Sequence, residues 1–240
     1  MVSIFTSQLS TNLSRKACEL ISSAGFLPAE PIPLAGCGME LYRQGDSTTA
    51  KTLGEKMINL CFDSEYVVFV STSNVAYVQK QFGHLFHNTT LHNQYRSFVS
   101  KCYDLTDFIV NVAHYTPNVP FPHCVAIMDC CAALRDYNSP ACPQNLKQTT
   151  RQLLSSIPDI TLVEMPNNDT CCGFGGLFAN FFTPISDDLA RKKVEAALTE
   201  GAEYITSTDY GCLIHLQSYI DHHKLPLRCI HPLEIIAPQP

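Results

Sequence analysis

The stretch that decides how this chain folds and what it can bind is Asp169-Thr170-Cys171-Cys172-Gly173-Phe174-Gly175-Gly176. The side chains of two adjacent residues in an extended segment point to opposite sides of the backbone. A turn at Gly173, which accepts a positive φ without a Cβ clash, can bring both preceding sulfur atoms towards one centre. Converging thiolates are the ligands of a soft metal ion or an iron–sulfur cluster. The stretch therefore predicts a metal or cluster site in the second half of the chain.

Two further cysteines flank this stretch at equal distance. Cys131 lies 40 residues before Cys171, and Cys212 lies 40 residues after Cys172. This layout suggests that four thiolates converge. Cysteines can also be small buried hydrophobes, but a Cys-Cys-Gly string among glycines and aromatic residues favours a site.

Length and composition are those of an ordinary globular chain. The 240 residues suffice for one large or two small domains, and 45% of them are hydrophobic. The net charge of −6 without a basic patch argues against a nucleic-acid partner. We expect a cytoplasmic protein, because no signal peptide is recognisable and no apolar run reaches the roughly 18 residues of a membrane span. In that compartment, 12 cysteines favour thiols and metal ligands over disulfides.

The apolar pattern predicts an α/β fold of two pseudo-repeated, Rossmann-like halves with parallel sheets and cysteine-rich loops. Short apolar runs predict buried strands, and helical periodicity between them predicts crossover helices, the last with Thr183 as N-cap and Pro184 at its first position. The predicted strands are 2–6, 66–70, 124–128, 160–164 and 203–206, and the predicted helices include 9–24, 48–61 and the segment from Thr183 to Gly201.

Two of the cysteines lie just after the ends of predicted strands. In parallel sheets, ligand sites gather at the carboxyl ends of the strands. Cys131 and Cys212 each follow a predicted strand of the second half. The segment 115–122 contains three prolines, which keep it extended. We therefore predict a boundary between a first repeat at 1–116 and a second repeat at 117–240.

Three motifs carry a resemblance to a known family. They are Asp129-Cys130-Cys131, Cys171-Cys172-Gly173-Phe174-Gly175-Gly176 and Asp209-Tyr210-Gly211-Cys212-Leu213-Ile214-His215. The chain resembles the cysteine-rich (CCG) domain iron–sulfur oxidoreductases over nearly its whole length, most closely the small iron–sulfur subunit of the bacterial lactate-utilisation complex. The resemblance implies electron transfer beside other iron–sulfur and substrate-binding subunits. It also implies a ligand set for the cluster, namely Cys131, Cys171, Cys172 and Cys212.

The first half departs from the family pattern. Ser7, Gly36-Cys37-Gly38 and Asn74 stand where the family has thiolate ligands, so only Cys37 remains. Serine and asparagine side chains are poor ligands for a sulfide-bridged iron cluster. We therefore expect one cluster, of the 4Fe-4S type and in the second half, with Cys37 an inert loop thiol.

Several alternatives stay open. Zinc could occupy the same four cysteines. His215 could join a zinc site, although a hydrogen-bonded structural role is expected of it, and Cys130 is expected to be a buried spectator thiol. The aromatic stretch of Phe174, Leu177, Phe178, Phe181 and Phe182 is expected mostly to fill the core, with one or two residues exposed as a contact patch.

The function predicted is that of an electron-transfer iron–sulfur subunit in a complex that oxidises L-lactate or another 2-hydroxy acid. The chain shows no nucleophile–base constellation, phosphate loop or dinucleotide fingerprint, so we expect no catalytic residue and no activity of the isolated chain. The alternative is a zinc-bound or metal-free scaffold that has lost redox function and mediates subunit assembly.

Overall fold

The protein contains two parallel β-sheets with helical connections. The computed structural model describes residues 1–6, 12–29, 32, 34, 36–141 and 145–237. The strands are β1 (Val2–Phe5), β2 (Tyr66–Phe69), β3 (Cys102–Asp104), β4 (Cys124–Ile127), β5 (Thr161–Glu164), β6 (Tyr204–Thr206) and β7 (Arg228–Ile230).

Helices follow the strands throughout the described residues, and none of them is long and apolar enough to cross a membrane. They are α1 (Asn12–Ser23), α2 (Met39–Arg43), α3 (Ser47–Leu60), α4 (Thr72–Phe86), α5 (His92–Val99), α6 (Leu105–Asp107, continued by a π-helix at Phe108–Val112), α7 (Cys131–Arg135), α8 (Leu146–Ser155), α9 (Phe178–Phe181), α10 (Thr183–Thr199), α11 (Tyr210–His223) and α12 (Pro232–Ile236).

The two sheets share one plan. The first has the order β1-β2-β3 and the second the order β5-β4-β6-β7, with every pairing parallel. The first sheet is extended beyond β1 by a further parallel segment, in which Ala29 and Ile32 donate backbone hydrogen bonds to Val2 and Ile4. This segment occupies the place that β5 occupies beside β4. The predicted fold of two related α/β halves is therefore confirmed.

Most element boundaries lie within one or two residues of those predicted, and two details were wrong. Thr183 is not the N-cap of α10 but its first residue, preceded by Phe182. Its hydroxyl donates instead to the carbonyl of Ala179 in the preceding turn, at 3.0 Å. Pro184, which was predicted at the first position of the helix, is its second residue. Ile185, which follows it, is 55% exposed. The start of the predicted helix 9–24 lies outside the described residues up to Thr11.

Both halves contribute to the same hydrophobic clusters. One cluster joins Phe69 and Phe82 of the first half to Ala126 and Ile205 of the second. The other joins residues such as Val68 to Val125 and Ile127. The halves thus bury apolar surface against each other, and the boundary at residues 116 and 117 stays a prediction.

A polar contact holds the halves together where β2 and β6 end. The backbone N–H of Thr72 donates to the carbonyl of Thr208 at 3.1 Å, and the two threonine hydroxyls lie 2.6 Å apart. Both residues are buried. The carboxyl ends of the two sheets therefore face a common region, which contains the cysteine loops.

Candidate functional site

The four predicted ligands all lie at the carboxyl edge of the second sheet. Cys131 is the first residue of α7, directly after β4, and Cys212 lies in the first turn of α11, after β6. Cys171 and Cys172 lie in the loop between β5 and α9. Parallel strand order brings these loops to one edge, as the sequence predicted.

The four thiols form a chain of contacts in the order Cys131, Cys171, Cys172, Cys212. The Cys131 thiol makes a polar contact with Cys171, and this contact together with burial raises the pKa of Cys131. The pKa of Cys172 is lowered by its contact with Cys171 but raised more by its contact with Cys212 and by burial. Contact with Cys172 lowers the pKa of Cys212, yet burial and the neighbouring Asp209 carboxylate outweigh it and raise that pKa to about 12.

With raised pKa values, the thiols of Cys131, Cys172 and Cys212 keep their protons at neutral pH. Within the described part of the chain, no group of three or more His, Cys, Asp or Glu side chains is arranged as it stands to hold a metal ion. The donor chemistry nevertheless fits, because an all-thiolate set is that of an iron–sulfur cluster or of zinc, and metal binding releases the thiol protons. Four neighbouring thiolates without a cation would repel one another in a buried setting.

The loop of the Cys-Cys-Gly motif is fixed by backbone geometry. Gly173 has a φ of +95°, and a Cβ added there would lie 2.5 Å from the carbonyl oxygen of Ser186. The Ser186 hydroxyl donates to the carbonyl of Gly173 at 2.9 Å. A Cβ at Gly211 would lie 2.6 Å from the Phe174 ring. These glycines allow the Cys172 and Cys212 loops to approach each other and α10 closely.

A partly exposed ionic cluster around the buried carboxylate of Asp129 supports the loop of Cys131. The Arg151 guanidinium donates two hydrogen bonds to the Asp129 carboxylate, at 2.8 and 3.0 Å, and two more to Glu164 at the end of β5. Arg151 holds the pKa of Glu164 below its usual range. The amide of Asn168 both accepts from the Asp129 backbone N–H at 3.0 Å and donates to its carboxylate at 3.1 Å.

Lys193 connects this cluster to the Cys-Cys-Gly loop. Its side chain leaves α10, is almost fully buried, and donates to the carbonyl oxygens of Asn167 at 2.7 Å and Asn168 at 3.0 Å. Burial lowers its pKa, while the nearby thiols and carboxylates act in the opposite direction. Among the described residues, Asn168 thus links the segments that precede Cys131 and Cys171. Sequence reasoning missed Arg151, Asn168 and Lys193.

His215 is held by other partners than the cysteines. Its Nε2 lies 3.1 Å from the Ser186 hydroxyl, and its ring centroid lies 6.1 Å from that of Phe174. Burial lowers its pKa. The histidine supports the loop that carries the predicted ligands, which agrees with the structural role expected of it. Cys130 is buried, and its sulfur accepts the backbone N–H of Ala133 at 3.3 Å as the N-cap of α7.

The corresponding loops of the first half also meet, but with one thiol. The Cys37 thiol donates to the Oδ1 atom of Asn74 at 3.2 Å. Burial raises the pKa of Cys37 to about 12, so the thiol stays protonated and unreactive at neutral pH. Ser7, the third position predicted to have lost its ligand, lies outside the described residues.

The aromatic stretch after the Cys-Cys-Gly motif does not fill the hydrophobic core. None of its five large apolar residues is buried, and Phe181 and Phe182 are 74% and 51% exposed. The Phe178 and Phe182 rings stack at 5.1 Å between centroids. Short helix α9 and the start of α10 therefore present an apolar patch formed by Phe181, Phe182 and Ile185. The expectation that most of these residues would fill the core was wrong, whereas the expectation that one or two would be exposed is confirmed by Phe181 and Phe182.

Known proteins are similar to this chain over nearly its whole length. Residues 125–217 match the family model of the cysteine-rich domain, CCG. Over 237 residues the chain is 28% identical to Lactate utilization protein A 1 of Bacillus cereus (strain AH820) and to Lactate utilization protein A of Bacillus thuringiensis (strain Al Hakam). The matches cover 98% of this chain and 96% of each relative. The family resemblance drawn from the sequence is thereby confirmed.

Similarity to solved structures is low. Allantoin racemase from Pseudomonas fluorescens matches with a TM-score of 0.32 and 9% identity, over 98% of this chain and 86% of the racemase. This value is too low to bear on the fold or the function of the cysteine-rich chain.

Proposed function

We propose that this protein is an iron–sulfur electron-transfer subunit of a multi-subunit complex for lactate utilisation, in which L-lactate or another 2-hydroxy acid is oxidised. The observation that carries the proposal is the chain of four contacting thiols at one sheet edge, with raised pKa values for Cys131, Cys172 and Cys212. The relatives named Lactate utilization protein A support the metabolic assignment.

In this proposal Cys131, Cys171, Cys172 and Cys212 hold one cluster of the 4Fe-4S type. Such a cluster accepts and releases single electrons, with a potential set by burial, by hydrogen bonds and by nearby charge. Cys172 and Cys212 are buried and keep water from their side of the site. Lys193 and Arg135, whose guanidinium contacts Cys131, place positive charge beside the thiolates and favour the reduced, more negative state.

The substrate is bound by other subunits in this proposal. The patch of Phe181, Phe182 and Ile185 lies next to the Cys-Cys-Gly loop and would bring a partner subunit close to the cluster. Exposed apolar residues that are adjacent to a redox site are suited to such contacts. We place the complex in the cytoplasm, where reducing conditions keep the 12 cysteines as thiols.

The proposal is tested by iron and sulfide analysis with a visible spectrum on protein purified without oxygen. We expect one cluster per chain. Cys172→Ser should abolish or strongly alter the absorbance, whereas Cys37→Ser should leave it almost unchanged, because Cys37 has Asn74 as its partner. Iron and sulfide sufficient for two clusters per chain would contradict the proposal that only the second half holds a cluster.

A second candidate function is a scaffold that carries zinc or no metal. The loss of first-half ligands favours it, as does the chain-like rather than centred arrangement of the thiols in the described residues. Stoichiometric zinc without sulfide, bound by the same four cysteines after anaerobic purification, would support the scaffold and overturn the electron-transfer proposal.

A further inference from the structure

A cavity of about 500 Å³ lies between the two halves of the chain. Its first-half wall comes from the loop around Cys37, from helices α2 and α3 and from the start of α4. Its second-half wall comes from the Cys-Cys-Gly loop and α9, through Phe174, Leu177 and Asn180, and from Gly211 beside Cys212. The volume is in the range of sites for small organic molecules. The cavity is distinct from the four-thiol site, since none of the four cysteines lines it.

The walls of the cavity are mainly apolar on both sides. Met39, Leu41 and Leu53 face it from the first half, and Phe174 and Leu177 face it from the second. Glu40 is the one charged side chain among the described residues that line it. Its carboxylate lies over Gly176, where an added Cβ would come within 2.6 Å of Oε2. An anion placed here would lose its hydration without gaining a cationic partner.

A few polar groups lie at the end of the cavity where the first-half loops meet. They are the Ser71 and Ser73 hydroxyls, the Asn74 amide and the Cys37 thiol. Ser71, Asn74 and Cys37 are buried, so their polar atoms are fixed in position. One thiol hydrogen-bonded to an amide cannot hold an iron–sulfur cluster, for which several thiolates are needed. The Ser71 hydroxyl and the Cys37 thiol already donate to Asp209 and Asn74. The Asn74 amide nitrogen and the Ser73 hydroxyl are therefore the groups that suit a carbonyl or hydroxyl oxygen.

We propose that this cavity binds a neutral, mainly apolar organic molecule that carries a carbonyl or hydroxyl group. The apolar walls take up its body, and the Asn74 amide nitrogen and the Ser73 hydroxyl at the polar end orient its oxygen. A 2-hydroxy acid fits less well, because no cationic side chain among the described lining residues could pair with its carboxylate. The inference rests on the walls of the cavity and not on the presence of a cluster, although Phe174 and Gly211 place the occupant beside the four-thiol site.

The test is calorimetric titration of the full chain, purified without oxygen, with three ligands that share a naphthalene ring and differ in the charge of its substituent. The probes are neutral 2-naphthol, anionic 2-naphthalenesulfonate and cationic 2-naphthylmethylammonium. We expect 2-naphthol to bind one-to-one and the sulfonate to bind at least tenfold more weakly. Equal or tighter binding of the sulfonate, tightest binding of the cation, or no binding of 2-naphthol would overturn the proposal.

Variants locate the binding in the cavity. Leu53→Trp on one wall and Leu177→Trp on the other should each weaken 2-naphthol binding at least tenfold. Leu60→Trp, on the same helix as Leu53 but 53% exposed and outside the cavity, is the matched control. Phe181→Ser tests whether the exposed patch binds the probe instead, and binding should be unchanged.

The outcomes separate this inference from the proposed function. Circular dichroism and thermal unfolding identify a variant that fails to fold. If Leu53→Trp does not fold, the binding measured with Leu177→Trp decides the test. Folded variants that both bind 2-naphthol as wild type does would overturn the cavity assignment. Iron and sulfide are measured on each sample, so a chain that binds the probe without a cluster upholds this inference and fails only the cluster proposal.

Discussion

The carboxylate of Asp209 accepts a hydrogen bond of 2.8 Å from the backbone N–H of Ser73, which belongs to the other half of the chain. The same carboxylate accepts the Cys212 backbone N–H at 3.2 Å and the Ser71 hydroxyl at 3.0 Å. It therefore begins α11 as an N-cap and also holds the first turn of α4. The position of one predicted ligand thus depends on the contact between the halves.

Asp209→Ala should lower the free energy of unfolding by about 3 kcal/mol, because it removes a helix cap and leaves buried donors without an acceptor. Asp209→Asn should cost less, since asparagine also caps helices. The control is Asp46→Ala, which removes the exposed cap of α3 that accepts from Thr49. Denaturant unfolding under reducing conditions measures all three. A loss for Asp209→Ala no larger than that for Asp46→Ala would show that the contact between halves adds nothing.

Lys193→Met should destabilise the protein by about 2 kcal/mol, because the charged hydrogen bonds from a buried ammonium to the carbonyls of Asn167 and Asn168 are lost. If a cluster is bound, the same change should lower its reduction potential and speed iron loss, since a positive charge near the thiolates disappears. Lys192→Met is the matched control, because the Lys192 side chain is 62% exposed and pairs with Asp188 on the surface of the same helix. Unfolding curves and redox titration report the two effects. Identical behaviour of the two variants would remove Lys193 from the support of the loop.

His231 should make the protein less stable as the pH falls from about 6.5 to 4. Its ring is buried and caps α12 by accepting the Leu233 backbone N–H at 3.1 Å, and burial lowers its pKa to about 4. Below pH 6.5 the unfolded chain binds a proton that the folded chain does not, which costs about 1.4 kcal/mol per pH unit. The loss ends near pH 4, where the folded protein also takes up the proton.

His231→Asn tests this effect, because asparagine can keep the cap without titrating in this range. Unfolding free energies of the variant, measured from pH 7 to 4, should fall less steeply than those of the wild type. The difference in slope should be about 1.4 kcal/mol per pH unit between pH 6.5 and 4. Parallel curves for the two proteins would mean that the buried imidazole is not the group responsible.

The sequence was sufficient for five of the seven described strands and for the meeting of the cysteine loops, while the short strands β3 and β7 were missed. Runs such as 66–70 are continuously apolar because both faces of a parallel sheet are covered, and a loop that follows each strand falls at the same sheet edge. The residues behind the loops carried no such signal. Arg151 and Lys193 lie on helices whose charged residues normally face water. Only the fold places Asp129 next to Arg151 and the Asn168 carbonyl next to Lys193.

The aromatic stretch shows a different limit. Phe178, Phe181 and Phe182 were expected mostly in the core because large apolar side chains are usually buried. In the structure, α9 lies at the edge of the site and leaves the residues of the patch partly or largely exposed. Local sequence gives the hydrophobicity of such a segment, while its exposure depends on which element, or which partner, packs against it.

The isolated chain should not oxidise L-lactate, even with an artificial electron acceptor. An iron–sulfur centre moves electrons but does not itself take the hydride of a 2-hydroxy acid, and that step needs a group such as a flavin or nicotinamide. The cavity between the halves offers no help, since no cationic side chain among its described lining residues could hold the carboxylate. The measurement is dye reduction by anaerobically purified protein with a verified cluster, with and without added L-lactate. Chemical reduction of the cluster by dithionite is the control that it is redox-active. Lactate-dependent turnover by the chain alone would overturn the assignment as an electron-transfer subunit, because the substrate site would then have to lie within these 240 residues.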